Sequence, residues 1–161
     1  MKERARELKD YPEMEAGAPL PAIKRIASDL LVSYICCNPK FPGWDSGAEP
    51  NHPGFDEYCA VLKFHDVSWS HFGAPSDERL HEHPLYKQGL TFYAFHEVEN
   101  SQKVKDNNLR HWIITFHDET LEVIGRDIEL LSARIDSGDP SKTLETFSEQ
   151  VASDNADKPR V

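Results

Sequence analysis

Eight histidines fall between residues 52 and 117 of this 161-residue chain, and two of them stand in a repeated tripeptide. Phe64-His65-Asp66 and Phe116-His117-Asp118 each set an imidazole beside a carboxylate, the partnership that general-base catalysis uses. On a strand, adjacent side chains face opposite ways, so neither aspartate can orient the histidine next to it. A working pair must form across strands, His65 with Asp118 or His117 with Asp66. His65, His96, His117 and Asp118 are therefore the catalytic candidates, gathered in the pocket of a small enzyme or small-ligand-binding protein. No nucleophile or polarising group accompanies them, and pairing at strand ends is the plainer role.

His81-Glu82-His83 has the spacing that would put two metal ligands on one side of a strand. It falls instead on a helical turn before Pro84, where i and i+2 point apart, so both are expected as surface histidines. Cys36, Cys37 and Cys59 are an odd set with an adjacent pair, which is not a disulfide framework. They lack Cys-x-x-Cys spacing and are expected as reduced thiols in the core, with no metal and no cofactor. The chain has no phosphate loop, dinucleotide-binding glycine fingerprint, nucleophile elbow or metalloprotease helix motif.

Charge narrows the partners. Eighteen basic residues face 28 acidic ones, a net of −10 with a pI of about 5.2, and most of the excess lies in 30–131. Such a chain repels nucleic-acid backbones and anionic membrane surfaces. No apolar run approaches the ~20 residues of a membrane span. The first ten residues are highly charged and no apolar leader follows, so a cytoplasmic protein is expected. Acid mixed with aromatics in connecting segments is the composition of a protein-binding surface. The leading expectation is a non-enzymatic domain that binds a basic protein partner. Its contacts would be Trp44, Asp45 and Glu49 in a long loop, and Asp77, Glu78, Glu82 and Tyr86 in a turn region.

The elements that must position these residues follow from periodicity and breakers. One domain is expected over 21–152, with a flexible segment at 1–20, helical for a turn or two at most, and a disordered tail at 153–161. Residues 21–29 carry weak helical character. Strands are predicted at 30–37, 58–69, 90–100, 110–117 and 120–125, with Gly125 marking a bulge. Residues 128–131 fit either a continued strand or a helical stripe. Residues 38–57 hold too many prolines and glycines for a regular element. Ser76 and Gly89 bracket two short helical turns separated by Pro84. Asp139-Pro140 opens a helix with Leu144, Phe147 and Val151 on one stripe. The fold class is α+β: a twisted antiparallel sheet of about five strands, peripheral short helices and a C-terminal amphipathic helix.

Two stretches carry a resemblance. They are Phe72-Gly73-Ala74-Pro75-Ser76-Asp77-Glu78 with His83-Pro84-Leu85-Tyr86, Gly89-Leu90 and Glu97-Val98-Glu99-Asn100-Ser101, and the run from Arg110 to Glu122. Over 72–125 the chain resembles small uncharacterised bacterial cytosolic proteins, a group that carries no activity or site to these residues. In character it is similar to immunity-type inhibitors, which implies a bacterial, cytosolic binding protein.

Overall fold

A computed structural model describes residues 2–14, 21–36, 58–136 and 139–157. Trp44, Asp45 and Glu49 lie outside them. Among the described residues there are nine strands, in two antiparallel sheets rather than one sheet of about five. The strands are β1 (Arg4–Leu8), β2 (Ala22–Ile26), β3 (Asp29–Cys36), β4 (Tyr58–His65), β5 (Trp69–Gly73), β6 (Phe95–Glu99), β7 (Arg110–Thr115), β8 (Thr120–Gly125) and β9 (Asp127–Asp136). One sheet runs β1-β6-β7-β8-β5 and the other β2-β3-β4-β9.

The extra strands are those whose sequences hide them. β1, RAREL, pairs with β6 along a sheet edge, where Arg6 meets Glu97 and Glu99. These residues are a strand, not the helical turn expected of them. β2, AIKRI, is likewise an edge strand rather than a helix. It turns into β3 through Ala27, which holds a left-handed φ of 53°. The single strand predicted over 58–69 breaks at Asp66, φ 50°, into β4 and β5, which belong to different sheets. The helical stripe at 128–131 is β9. Gly125 sits in regular register with Arg110, so it is no bulge. It is instead a close approach, because an added Cβ would meet the His65 carbonyl oxygen at 2.9 Å. The irregular pairing lies in β4–β9, between Cys59 and Leu62.

The two sheets pack face to face on alternate residues. Val32 and Tyr34 of β3, Leu62 and Phe64 of β4, Trp112 and Ile114 of β7, and Leu121 and Val123 of β8 form one core cluster. The Tyr34 hydroxyl donates to the Pro12 carbonyl at 2.8 Å, which draws the N-terminal segment onto this core. Helix α1 (Pro140–Asp157) packs across β2, β3 and β4. The Asp139 carboxylate accepts from the Lys142 N–H at 3.1 Å and starts that helix. Leu144 is buried and Phe147 half-buried on the stripe, while Val151 is not among the described side chains. The helix includes residues 153–157, which the sequence assigned to a tail. No helix among the described residues is long and apolar enough to cross a membrane.

The outer face of the five-stranded sheet is only partly covered. Alternation turns Ala5, Val98 and Ile113 outward, and the segment 76–90 covers them with Leu80, Leu85 and Leu90. That segment is two 3₁₀ turns, Asp77–Glu82 and Tyr86–Gln88, with Ser76 at the first N-cap position but making no side-chain cap hydrogen bond. Gly89 closes the second with a φ of 106°. The apolar cover gives out toward the far side of the sheet, where the outward residues become His111 at the start of β7, Glu122 of β8, and His71 and Trp69 of β5.

Candidate functional site

Where the cover ends, a cavity of about 460 Å³ opens between the sheet, the 76–90 segment and the connection at 101–103. Glu122 is a buried part of its lining. It is the outward residue in the middle of β8, registered with Ile113 of β7 on one side and His71 of β5 on the other. Its two oxygens are held by different histidines. His111 Nε2 lies 3.0 Å from Oε1, and His83 Nε2 lies 3.2 Å from Oε2. All three residues are buried, with Glu122 and His83 at 9% exposure and His111 at 2%.

The remaining ring nitrogens fix the proton positions. The Leu85 N–H donates to His83 Nδ1 at 3.0 Å, which leaves the imidazole proton on Nε2, pointing at Glu122. His111 Nδ1 lies 2.7 Å from Ser101 Oγ, which itself accepts from the Lys103 N–H at 3.3 Å. The Glu122 carboxylate can only accept, so His111 too donates from Nε2, and Ser101 engages its other ring nitrogen. Burial alone would push the Glu122 carboxyl up. The hydrogen bonds from His111 and His83 outweigh it, with the charge of Lys103 adding, and hold the carboxyl well below the usual range. The result is a fixed anion with every imidazole nitrogen of its two histidines engaged. It suits binding better than proton abstraction, since a good base needs an affinity for the proton near neutral pH.

The wall is aromatic and the rim is charged. Trp69, 37% exposed, stacks on His71 at 6.4 Å and meets His111 edge-on at 6.5 Å. Lys103 Nζ lies 4.5 Å over the Trp69 ring and 3.7 Å from Glu122 Oε1. Glu3 and Glu82 complete the charged lining.

Among the described residues, the catalytic and partner-binding candidates read from the sequence do not line this cavity, with the exception of Glu82. His65 pairs with Glu129 at 2.8 Å. His96 is buried between the Ile113 carbonyl, 3.1 Å from Nδ1, and the Thr91 N–H, 3.0 Å from Nε2. Burial holds its charged form back, against the help of the Ile113 bond. It ties the 89–94 connection to the sheet. Asp66 pairs with Arg126 rather than His117. His117 and Asp118 lie in the β7–β8 turn rather than on a strand, so they approach at 3.8 Å, but the closer partner of His117 is Asp77 at 2.8 Å. His65, His96 and His117 thus each have a different nearest partner. Asp77 also accepts from the Tyr93 hydroxyl, which is the main reason its carboxyl is held below the usual range. It is only 13% exposed and is spoken for within the chain. Glu78 is exposed, and Tyr86 is half-buried against the cover and edge-on to the exposed Phe92. His81 is exposed as expected, whereas His83 is not a surface residue. The 3₁₀ turn ends at Glu82 and carries His83 inward onto Glu122.

Among the described residues, no group of three or more histidine, cysteine, aspartate or glutamate side chains is arranged to hold a metal ion. Comparison of the chain with protein-family profiles, curated sequences and solved structures finds no match in any of the three.

Proposed function

We propose that the protein binds a small molecule in the cavity floored by His83, Glu122 and His111. The observation that carries this reading is the buried carboxylate clamped by two imidazole N–H groups at the foot of an otherwise accessible, aromatic-walled cavity. A buried charge is expensive to keep, and a sheet face serves stability as well with apolar residues there. Convergent polar groups in a concave, partly apolar cavity of this size are the usual form of a ligand site. The functional class is the small-ligand reading of the sequence, carried by His71, His83, His111 and Glu122 instead of His65, His96, His117 and Asp118. Binding rather than catalysis is favoured because the imidazole nitrogens of His83 and His111 are already committed.

One observation favours a second reading, the acidic protein-binding domain. Phe92 is 47% exposed and packs edge-on against Tyr86, an aromatic pair suited to anchoring a partner. A fragment-sized compound library, screened by imidazole and indole NMR signals, separates the two. The expected hits shift His71, His83, His111 and Trp69 together. Hits that instead move only residues around Tyr86 and Phe92 would shift the function to that surface.

A further inference from the structure

We infer that the ligand is an organic cation with N–H donors, a primary ammonium or a guanidinium, and that Lys103 holds its place until it arrives. The inference rests on the cavity being a ligand site and names the ligand's chemistry.

Lys103 is the pointer. Its ammonium lies between the face of Trp69, 4.5 Å away, and Glu122 Oε1, 3.7 Å away. An aromatic face and a carboxylate converging on one ammonium are what receptors for organic cations use. Here the chain supplies the cation itself. The lysine is borne on a connecting segment, not on a strand, and its side chain is 52% exposed. It can therefore swing out without breaking a sheet hydrogen bond.

What it would leave behind is a site that calls for positive charge. Among the described residues, Glu3, Glu82 and Glu122 line the cavity against the single cation of Lys103. His83 and His111 direct their N–H groups at Glu122 and spend them there. With Lys103 displaced, Oε1 has a vacant acceptor direction beside the Trp69 ring. An N–H donor fills it, and a quaternary ammonium does not. The cavity is larger than an ammonium needs, so the body of a ligand fits behind its charged end. The net charge of −10 raises the local concentration of such cations.

The test compares n-butylammonium, which copies the lysine side chain, with tetramethylammonium, n-butanol and n-butyrate. Binding is measured by calorimetry and by the indole and imidazole NMR signals, on the parent and on Lys103→Met. Removing the tethered competitor should tighten n-butylammonium roughly tenfold or more. Tetramethylammonium should bind more weakly, and n-butyrate not at all. Adding Trp69→Ala to Lys103→Met should reverse the gain, and this change at an exposed position leaves the core intact. If folded Lys103→Met takes n-butanol or n-butyrate as well as n-butylammonium, the cation inference is wrong while the cavity remains a ligand site. If no probe moves His71, His83 or His111 in either folded protein, the ligand-site reading fails along with it.

Discussion

At the scale of single residues, Glu122 is where the fold concentrates electrostatic consequence. Its carboxyl is depressed from an ordinary value of 4.5. The sign of the linkage follows. The stability this provides is complete above the ordinary glutamate value and is lost as pH falls below it toward the lower folded value. Glu122→Gln keeps the shape and removes the charge. It should cost about 2 kcal/mol near neutral pH, the range of hydrogen bonds to a charged group. The gap between parent and variant in denaturant unfolding should stay level down to about pH 5 and narrow below it. A gap that ignores pH would mean the carboxylate is not held by its histidines as an anion. Part of this was visible in the sequence: Glu122 is the only charged residue between Thr120 and Gly125. Alternation puts it opposite Leu121 and Val123, on the face away from the core. Its partners were not visible, because His111 and His83 reach it across a strand register and a turn that no local pattern encodes.

At the scale of elements, the segment 76–90 decides how much of the sheet is cover and how much is cavity. It is pinned at Gly89, where φ is 106° and an added Cβ would meet the Ala5 carbonyl oxygen at 2.3 Å. Gly89→Ala is strained on both counts and should lose more than about 1 kcal/mol. It should also loosen Leu85 and, through it, His83. Gly73→Ala serves as the comparison, since its Cβ would make only ordinary contact with His71 at 3.5 Å. Thermal unfolding of the two should therefore differ clearly, and equal losses would show that the cover is not anchored at Gly89. The elements that periodicity made legible are those with one buried face or two, β3, β7, β8 and α1, while the two 3₁₀ turns were legible from Ser76, Pro84 and Gly89. β1 and β2 escaped because edge strands carry charges that read as helix or tail. The break between β4 and β5 escaped because one apolar alternation runs straight through it. The bend shows only in the backbone of Asp66.

At the scale of the whole molecule, the chain crosses between its sheets twice at one corner. β4 becomes β5 around Asp66–Ser68, and β8 becomes β9 at Arg126. The crossings are bound to each other: the Arg126 N–H donates to the His65 carbonyl at 2.8 Å, and the Ser68 N–H to that of Ile124 at 2.9 Å. The Arg25 guanidinium reaches the Val67 carbonyl at 2.6 Å, adding β2 to the junction. Native-state hydrogen exchange should accordingly report one opening free energy for the amides of β4, β5, β8 and β9. Early exchange confined to one sheet would contradict it. The same corner limits what a ligand can move. Two sheets stitched together this way do not shear over one another, so the bed on which Glu122 and His111 sit behaves as a rigid anvil. Any gating of the cavity is left to the two strips of chain laid over it, the 76–90 cover and the loop that bears Lys103. Their opening rates, rather than any breathing of the sandwich, would then set how fast a ligand enters and leaves.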